Sequence, residues 1–382
     1  MGPLAGIRIL EIAGLGAAPY GCMMLADMGA EVVRVDRPGG GPETPENSPL
    51  LRNRRSVTLD LKSDAGREAA LALVCKADVL IEGFRPGVME RLRLGPDICL
   101  ALNPKLVYGR MTGWGQTGPL SQAAGHDLNY IGLAGVLQQI GPTAGKPTVP
   151  LNVIGDFGGG GLLMAFGVVC ALLEARRSGT GQVVDAAMID GALSFMAMFF
   201  GYRELGMFFD KPGSHLLGGG AHYYDVYETA DGKFLSVAPI EPRFYGPFVR
   251  KLGLNADRFL PAGYPAHDYN TVENMWPALK KELTAVFKTR TRDEWCAFLE
   301  GSDVCVQPVL TLAEAALHPH NRARQMFIDV GGVEQNAPAP RFSRTAAEMP
   351  RPPRKTGADT AAVLADWGVD SAISARIPHA TT

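Results

Sequence analysis

A histidine and two carboxylates stand where proton chemistry is possible. His126 and Asp127 lie in the run Gly125-His126-Asp127, ahead of the apolar segment Leu128–Ile140, and Asp156 precedes four glycines, Gly158 to Gly161. Histidine titrates closest to neutral pH, so His126 suits proton transfer in either direction. A lone histidine is also a common surface or satisfied core residue; the other six carry no pattern, and His318-Pro319-His320 reads as a loop. Asp156 admits two readings. One is a helix N-cap accepting free backbone N–H groups; the other is a carboxylate at a helix start where glycines let a ligand come close. Asp127 admits the capping role too. Asp156-Phe157-Gly158 matches a kinase metal-binding triplet, but no HRD or VAIK motif accompanies it. No HExxH or other ligand spacing occurs, so no metal is expected.

Two further constellations suggest anions. Gly14-Leu15-Gly16-Ala17-Ala18-Pro19 follows the first strand-like run, and Asp36 ends the next. That is close to a dinucleotide fingerprint and raises a nicotinamide-dependent oxidoreductase as an alternative. Pro19 stands where the third glycine belongs, and proline in a first helical turn explains the segment without any ligand. Arginines recur near strand ends: Arg34 and Arg37; Arg52, Arg54 and Arg55; Arg85, Arg91 and Arg93. Ligands of parallel sheets bind beyond the carboxyl ends of strands, where guanidinium groups would grip phosphates. A solvated rim is the plainer alternative.

The elements that must position these groups are legible in outline. Gly6–Ile12, Glu31–Asp36, Val57–Leu61, Asp78–Glu82 and Leu106–Met111 read as strands, with helices Pro19–Met28 and Asp64–Lys76 between them. The pattern predicts a Rossmann-like α/β large domain over residues 1–200, with a long apolar helix from about Gly160 to Arg177. A smaller α+β domain follows over 201–320: Tyr223–Thr229 and Lys233–Ala238 flank Asp231-Gly232 as a hairpin, ahead of helices Trp276–Phe287 and Arg292–Leu299. Residues 321–382 read as a Pro-rich strap and one helix near Thr360–Trp367, returning to the large domain.

Composition narrows the field. At 382 residues, 46% hydrophobic and 20% charged, the chain has an ordinary globular composition. A net charge of -2 offers no general attraction for nucleic acid or an anionic membrane. Six cysteines without a CxxC pair predict buried free thiols. The N-terminus has no signal-peptide pattern, and the longest apolar run, Leu162–Leu173, is shorter than a membrane span. A cytoplasmic, soluble protein is the expectation.

Taken in order, VVRVDRP (32–38), RNRRSVTLDLK (52–62), ADVLIEGFRPGVMERL (77–92), RMTGWGQTGP (110–119), AGHDLNY (124–130), PLNVIGDFGGG (150–160), GTGQVVDAAMIDG (179–191), YETADGKF (227–234) and IEPRFY (240–245) resemble the family III CoA-transferases, and within them the α-methylacyl-CoA racemases. The resemblance spans almost the whole chain. It implies proton transfer at the α-carbon of a 2-methyl-branched acyl-CoA, with His126 and Asp156 as the acid/base pair and Glu241 as a supporting carboxylate from the small domain. It implies a CoA site at Arg37, Leu59, Gly83, Phe84, Arg85, Arg91 and Gly125, His126, Asp127, Leu128, Asn129 and Tyr130. CoA is then part of the substrate, and no separate cofactor is expected. An interlocked homodimer with shared active sites is implied too. Classical transferases use an aspartate nucleophile matching Asp127, preceded by an aromatic residue; this chain has His126 there, as racemases do.

The chemistry sets requirements. A thioester acidifies its α C–H, yet the enolate needs a donor at its oxygen, for which the backbone N–H of Asp127 at a helix start is the candidate. Two groups must face opposite sides of the α-carbon, and Asp156 must hold its proton more tightly than usual, through burial or a nearby negative charge. The racemase segment LDGGAPxY reads Leu217-Gly218-Gly219-Gly220-Ala221-His222-Tyr223-Tyr224 here, so Gly218 and His222 depart from it. A transferase using Asp127 and a silent acyl-CoA-binding protein complete the alternatives.

Overall fold

The alternation of Val- and Ile-rich runs with helices becomes a parallel sheet in the computed structural model, which describes residues 2–39, 45, 47–142, 144–207, 211–264 and 274–378. The elements are β1 (Arg8–Ile12), α1 (Ala17–Asp27), β2 (Glu31–Asp36), β3 (Arg54–Thr58), α2 (Asp64–Val74), β4 (Val79–Glu82), α3 (Val88–Arg91), α4 (Pro96–Leu102), β5 (Val107–Thr112) and α5 (Asp127–Leu133), then α6 (Leu163–Ser178), β6 (Gln182–Ala187) and α7 (Met188–Ser194). Six strands pair in the order β3-β2-β1-β4-β5-β6, all parallel. Both faces are covered, which is why the central strands read as apolar runs. Leu10, Val33, Leu80 and Tyr108 face α2 and the C-terminal helix Thr360–Asp366. Ile9, Val32, Ile81 and Val107 face α1 and α6.

Two compact units form, one from residues 1–134, 151–195 and 322–382, the other from 135–150 and 196–321. The second unit has its own three-stranded sheet, Asp225–Glu228, Phe234–Val237 and Val306–Pro308. Its first two strands form the hairpin expected around Asp231-Gly232, with Gly232 at φ +73. Its core is rich in aromatic rings, including Tyr223, Tyr245, Phe248, Phe287 and Trp295.

Four features differ from the sequence reading. The third strand is Arg54–Thr58 rather than Val57–Leu61, because Arg54 is buried against Glu11 and Asp359 bonds the Ser56 N–H. The edge strand β6 and the hairpin Phe327–Val330/Val333–Asn336 were not anticipated. Residues Val153–Leu162, where the sequence pattern starts the helix only near Gly160, form a π-helix continuous with α6. The resulting 26-residue helix, Val153–Ser178, is long and apolar enough to cross a membrane, unlike the shorter run read from sequence. Here its Met164, Ala165, Val168 and Ala171 pack in the core beneath the sheet. Of the cysteines, Cys22 and Cys99 are buried as expected, whereas Cys75 and Cys170 are exposed.

Candidate active site

After β5 the chain turns back toward α5, and two glycines there make room for one ring. A Cβ on Gly113 would overlap the Tyr130 ring, and one on Gly125 would come within 2.7 Å of it. Tyr130 Oη donates to the Gly125 carbonyl, and Trp114 meets the same ring edge-on at 4.8 Å. The backbone just before His126 is therefore held by an aromatic wall. His126 itself is exposed, and its N–H donates to Asn129 Oδ1 at 3.1 Å.

The next residue does something different. Asp127 is 4% exposed, and its Oδ2 accepts from the backbone N–H groups of Gly155 (2.6 Å) and Asp156 (2.7 Å). It thus caps the π-helix rather than its own helix. Asp156 is not an N-cap: Asn152 holds that position, and Asn152 Nδ2 donates to Asp156 Oδ2 at 3.0 Å. Burial raises the proton affinity of the half-buried Asp156; the Asn152 bond opposes this, the Asp127 charge adds to it, and His126 opposes it. The direction is the one the chemistry requires of an acid at this position.

The glycines after Asp156 serve helix packing, not ligand approach. A Cβ on Gly161 would collide with α1 at the Ala17 carbonyl, and one on Gly159 would come within 2.5 Å of the α7 backbone at Ala192. Gly21 on α1 and Gly191 on α7 return the same close contacts. Gly16, from the apparent dinucleotide motif, has φ +66, and a Cβ there would stand 3.3 Å from Asp156 Oδ2. That turn brings α1 against the carboxylate. Asp36 is 3% exposed and takes Arg34 Nε (2.9 Å) and Ser56 Oγ (2.6 Å), so it is spent on internal partners and buried away from any ribose. The oxidoreductase alternative loses its anchor.

A cleft of about 260 Å³ opens beyond the carboxyl ends of β4 and β5, lined by Leu15, Gly83, Phe84, Arg85, Trp114 and His126 among others. Its Gly83-Phe84-Arg85 turn is held from below. Glu82 accepts from Phe84 N–H (2.7 Å) and Arg110 Nε (3.0 Å), and Arg110 also pairs with Glu90 (2.8 Å). The sequence reading missed Glu82 and Arg110. Only strand register, which sets them side by side, could have found them.

The arginines divide into two groups. Arg34 pairs with Asp36, Arg52 with Asp27, Arg54 with Glu11, and Arg55 with Glu31 and Asp366. These are internal ion pairs and do not converge on a ligand, contrary to expectation for that part of the set. Arg37, Arg85 and Arg91 are exposed and make no ion pair among the described residues. Leu59 is buried in the core at 2%, whereas Gly83, Leu128 and Asn129 are exposed. Glu241 belongs to the second unit, where it is the N-cap of helix Pro242–Lys251.

The two departures also lie in the second unit. Gly218 ends a short 3₁₀ turn, Leu216–Gly218. His222 is fully buried among Tyr223, Tyr245 and Phe259. Tyr245 Oη donates to the Phe259 carbonyl at 2.8 Å, so the 2.6 Å contact with His222 runs from Nε2–H to Oη, leaving Nδ1 as a neutral atom without a partner. Burial, with a contribution from Lys280, lowers its pKa to about 3.

The model of CoA-transferase family III matches residues 4–360. The chain is 45% identical over 368 residues to the α-methylacyl-CoA racemase of Mus musculus, covering 96% of this chain and 93% of that protein. Identity to the Homo sapiens α-methylacyl-CoA racemase is 43% over 347 residues, covering 90% and 87%. A CAIB/BAIF family protein from Brucella suis matches in structure with a TM-score of 0.81 at 28% identity, over 96% of this chain and 99% of that one.

Proposed function

The chain belongs to CoA-transferase family III, and from that premise we propose that it is an α-methylacyl-CoA racemase, an isomerase inverting the 2-methyl-branched α-carbon of acyl-CoA thioesters by 1,1-proton transfer. The observation that carries this choice over a transferase is the Asp127 carboxylate. A nucleophile must offer an accessible oxygen to the thioester carbonyl. Asp127 is 4% exposed, its Oδ2 accepts two backbone hydrogen bonds and its unpartnered Oδ1 is buried, while His126 beside it is exposed in the cleft.

In one direction a neutral His126 nitrogen takes the α-proton, and the C–H electron pair moves into the enolate. The backbone N–H of Asp127, which has no partner within its helix, donates to the developing oxyanion. Asp156, protonated, then delivers its proton to the opposite face, leaving His126 charged and Asp156 ionised. The other enantiomer runs the same steps in reverse. Glu241, contributed by the small domain of a partner subunit in a homodimer, steadies the imidazolium. Arg37, Arg85 and Arg91 take the CoA phosphates, and the segment from Gly125 to Tyr130, with Gly83, Phe84 and the Leu59 backbone, flanks the rest of the carrier.

Incubating the protein with a single 2-methylacyl-CoA enantiomer in deuterated water is the test. Inversion with deuterium at the α-carbon, without an acceptor acid, is the expected result. Acyl transfer to a carboxylate acceptor without α-exchange would establish the transferase instead.

A further inference from the structure

Asp127 carries a side chain that the proton-transfer scheme does not use. Its carboxylate starts one residue from His126 and ends on the N–H groups of Gly155 and Asp156, at 2.6 and 2.7 Å. We propose that Asp127 is a positioning residue whose carboxylate ties the backbone of Asp156 to the helix start that carries His126, setting the separation of the two bases. This rests on the racemase reading.

Three observations support it. The Asp127 carboxylate is buried and its bond to the Gly155 N–H lies wholly away from solvent, with the Asp156 bond partly so. It is tight: a Cβ on Gly155 would lie 2.7 Å from Asp127 Oδ2 and 3.2 Å from Ile131 Cγ2, so only glycine leaves room for the carboxylate. It is also electrically consequential, because the Asp127 charge is one of the influences that hold a proton on Asp156. The other groups acting on Asp156 are the Asn152 amide and His126, and the Tyr130 phenol in turn feels the Asp156 charge. Ahead of α1, Gly16 stands close to the carboxylate and brings no charge of its own.

The experiment compares D127N, D127A and G155A with the wild type for kcat, KM and pH dependence in both directions, alongside α-proton exchange and thermal melting. An asparagine oxygen can still accept from both N–H groups, so D127N is expected to keep much of kcat. Removing the charge loosens the proton on Asp156 and moves the pH limbs that report it to lower pH. D127A and G155A each break the tie, one from either end, and are expected to lose about 10²-fold in kcat with little change in KM. A displaced carboxylate in G155A keeps its charge, so that variant separates position from electrostatics even if D127A fails to fold. If the wild type racemises while G155A and D127N keep its kcat and pH profile, the positioning role is overturned. A wild type that shows no α-exchange would overturn the racemase reading itself.

Discussion

Burial pushes Asp156 in the first unit and His222 in the second toward the same end, the neutral form, and yet the two sites are opposites in use. Asp156 is half-buried, within the electrostatic reach of the cleft residue His126, and its proton affinity is raised. His222 is fully buried in an aromatic cage, and its proton affinity is lowered. A neutral carboxylic acid is a proton donor; a neutral histidine sealed from water is a packing element with one internal hydrogen bond. Access, rather than the size of the perturbation, separates a group that can do chemistry from one that only stabilises.

The sharpest test of that contrast is removal of the accessible pair. D156N and H126A are each expected to lower racemisation about 10²–10⁴-fold in both directions. Each should keep slow α-hydrogen exchange from one enantiomer only, opposite in the two variants, as deuterium incorporation followed by chiral analysis would show. Symmetric residual racemisation in either variant would mean that one base suffices. H222F, by contrast, should leave kcat unchanged.

Stability should respond to pH in opposite senses at the two sites. The folded pKa of His222, about 3, lies below the ordinary 6.5, so its neutral form contributes fully above pH 6.5. As pH falls from 6.5 toward 3 the unfolded chain takes a proton that the folded one refuses, at a cost of up to about 1.4 kcal/mol per pH unit. H222F should therefore melt lower than wild type at pH 7 and lose less on acidification, so that denaturant midpoints plotted against pH converge or cross. Parallel curves would show that His222 does not titrate in this window. Asp156 runs the other way. Its raised folded pKa favours the fold at low pH, and that advantage is lost as pH rises through it. D156N should accordingly melt above wild type at pH 7, with the gain fading toward pH 4.

The smallest effect expected is at an exposed group. R85A should raise KM for the CoA ester by about 10-fold while changing kcat little, because phosphate contacts are uniform between ground and transition states. An unchanged KM would remove Arg85 from the CoA site.

What could be read from sequence follows from which interactions are local. Strands β1, β2, β4 and β5 announce themselves because both sheet faces are apolar, and the Asp231-Gly232 hairpin because its turn chemistry is self-contained. His126 and Asp156 stood out by residue type and by resemblance. The rest depends on partners far along the chain. Arg52 and Arg54 look like phosphate ligands until Asp27 and Glu11 are beside them. Gly159 and Gly161 look like room for a ligand until Gly191 and Gly21 come against them. The second hydrogen bond of Asp127 crosses to a residue 29 positions away, and no spacing rule reveals it.

That glycine seam has a practical bearing on how this scaffold can be diversified. At Gly159, Gly161 and Gly191 the smallest added side chain meets backbone, and at Gly21 it meets both the Met164 side chain and the Gly161 carbonyl. Random libraries spread over the whole catalytic region will therefore waste most of their members there, on chains that cannot close the helix layer. Leu15, which lines the opening, is 60% exposed and meets no such wall. An engineer seeking new acyl chains would hold the floor of the site constant and vary its mouth.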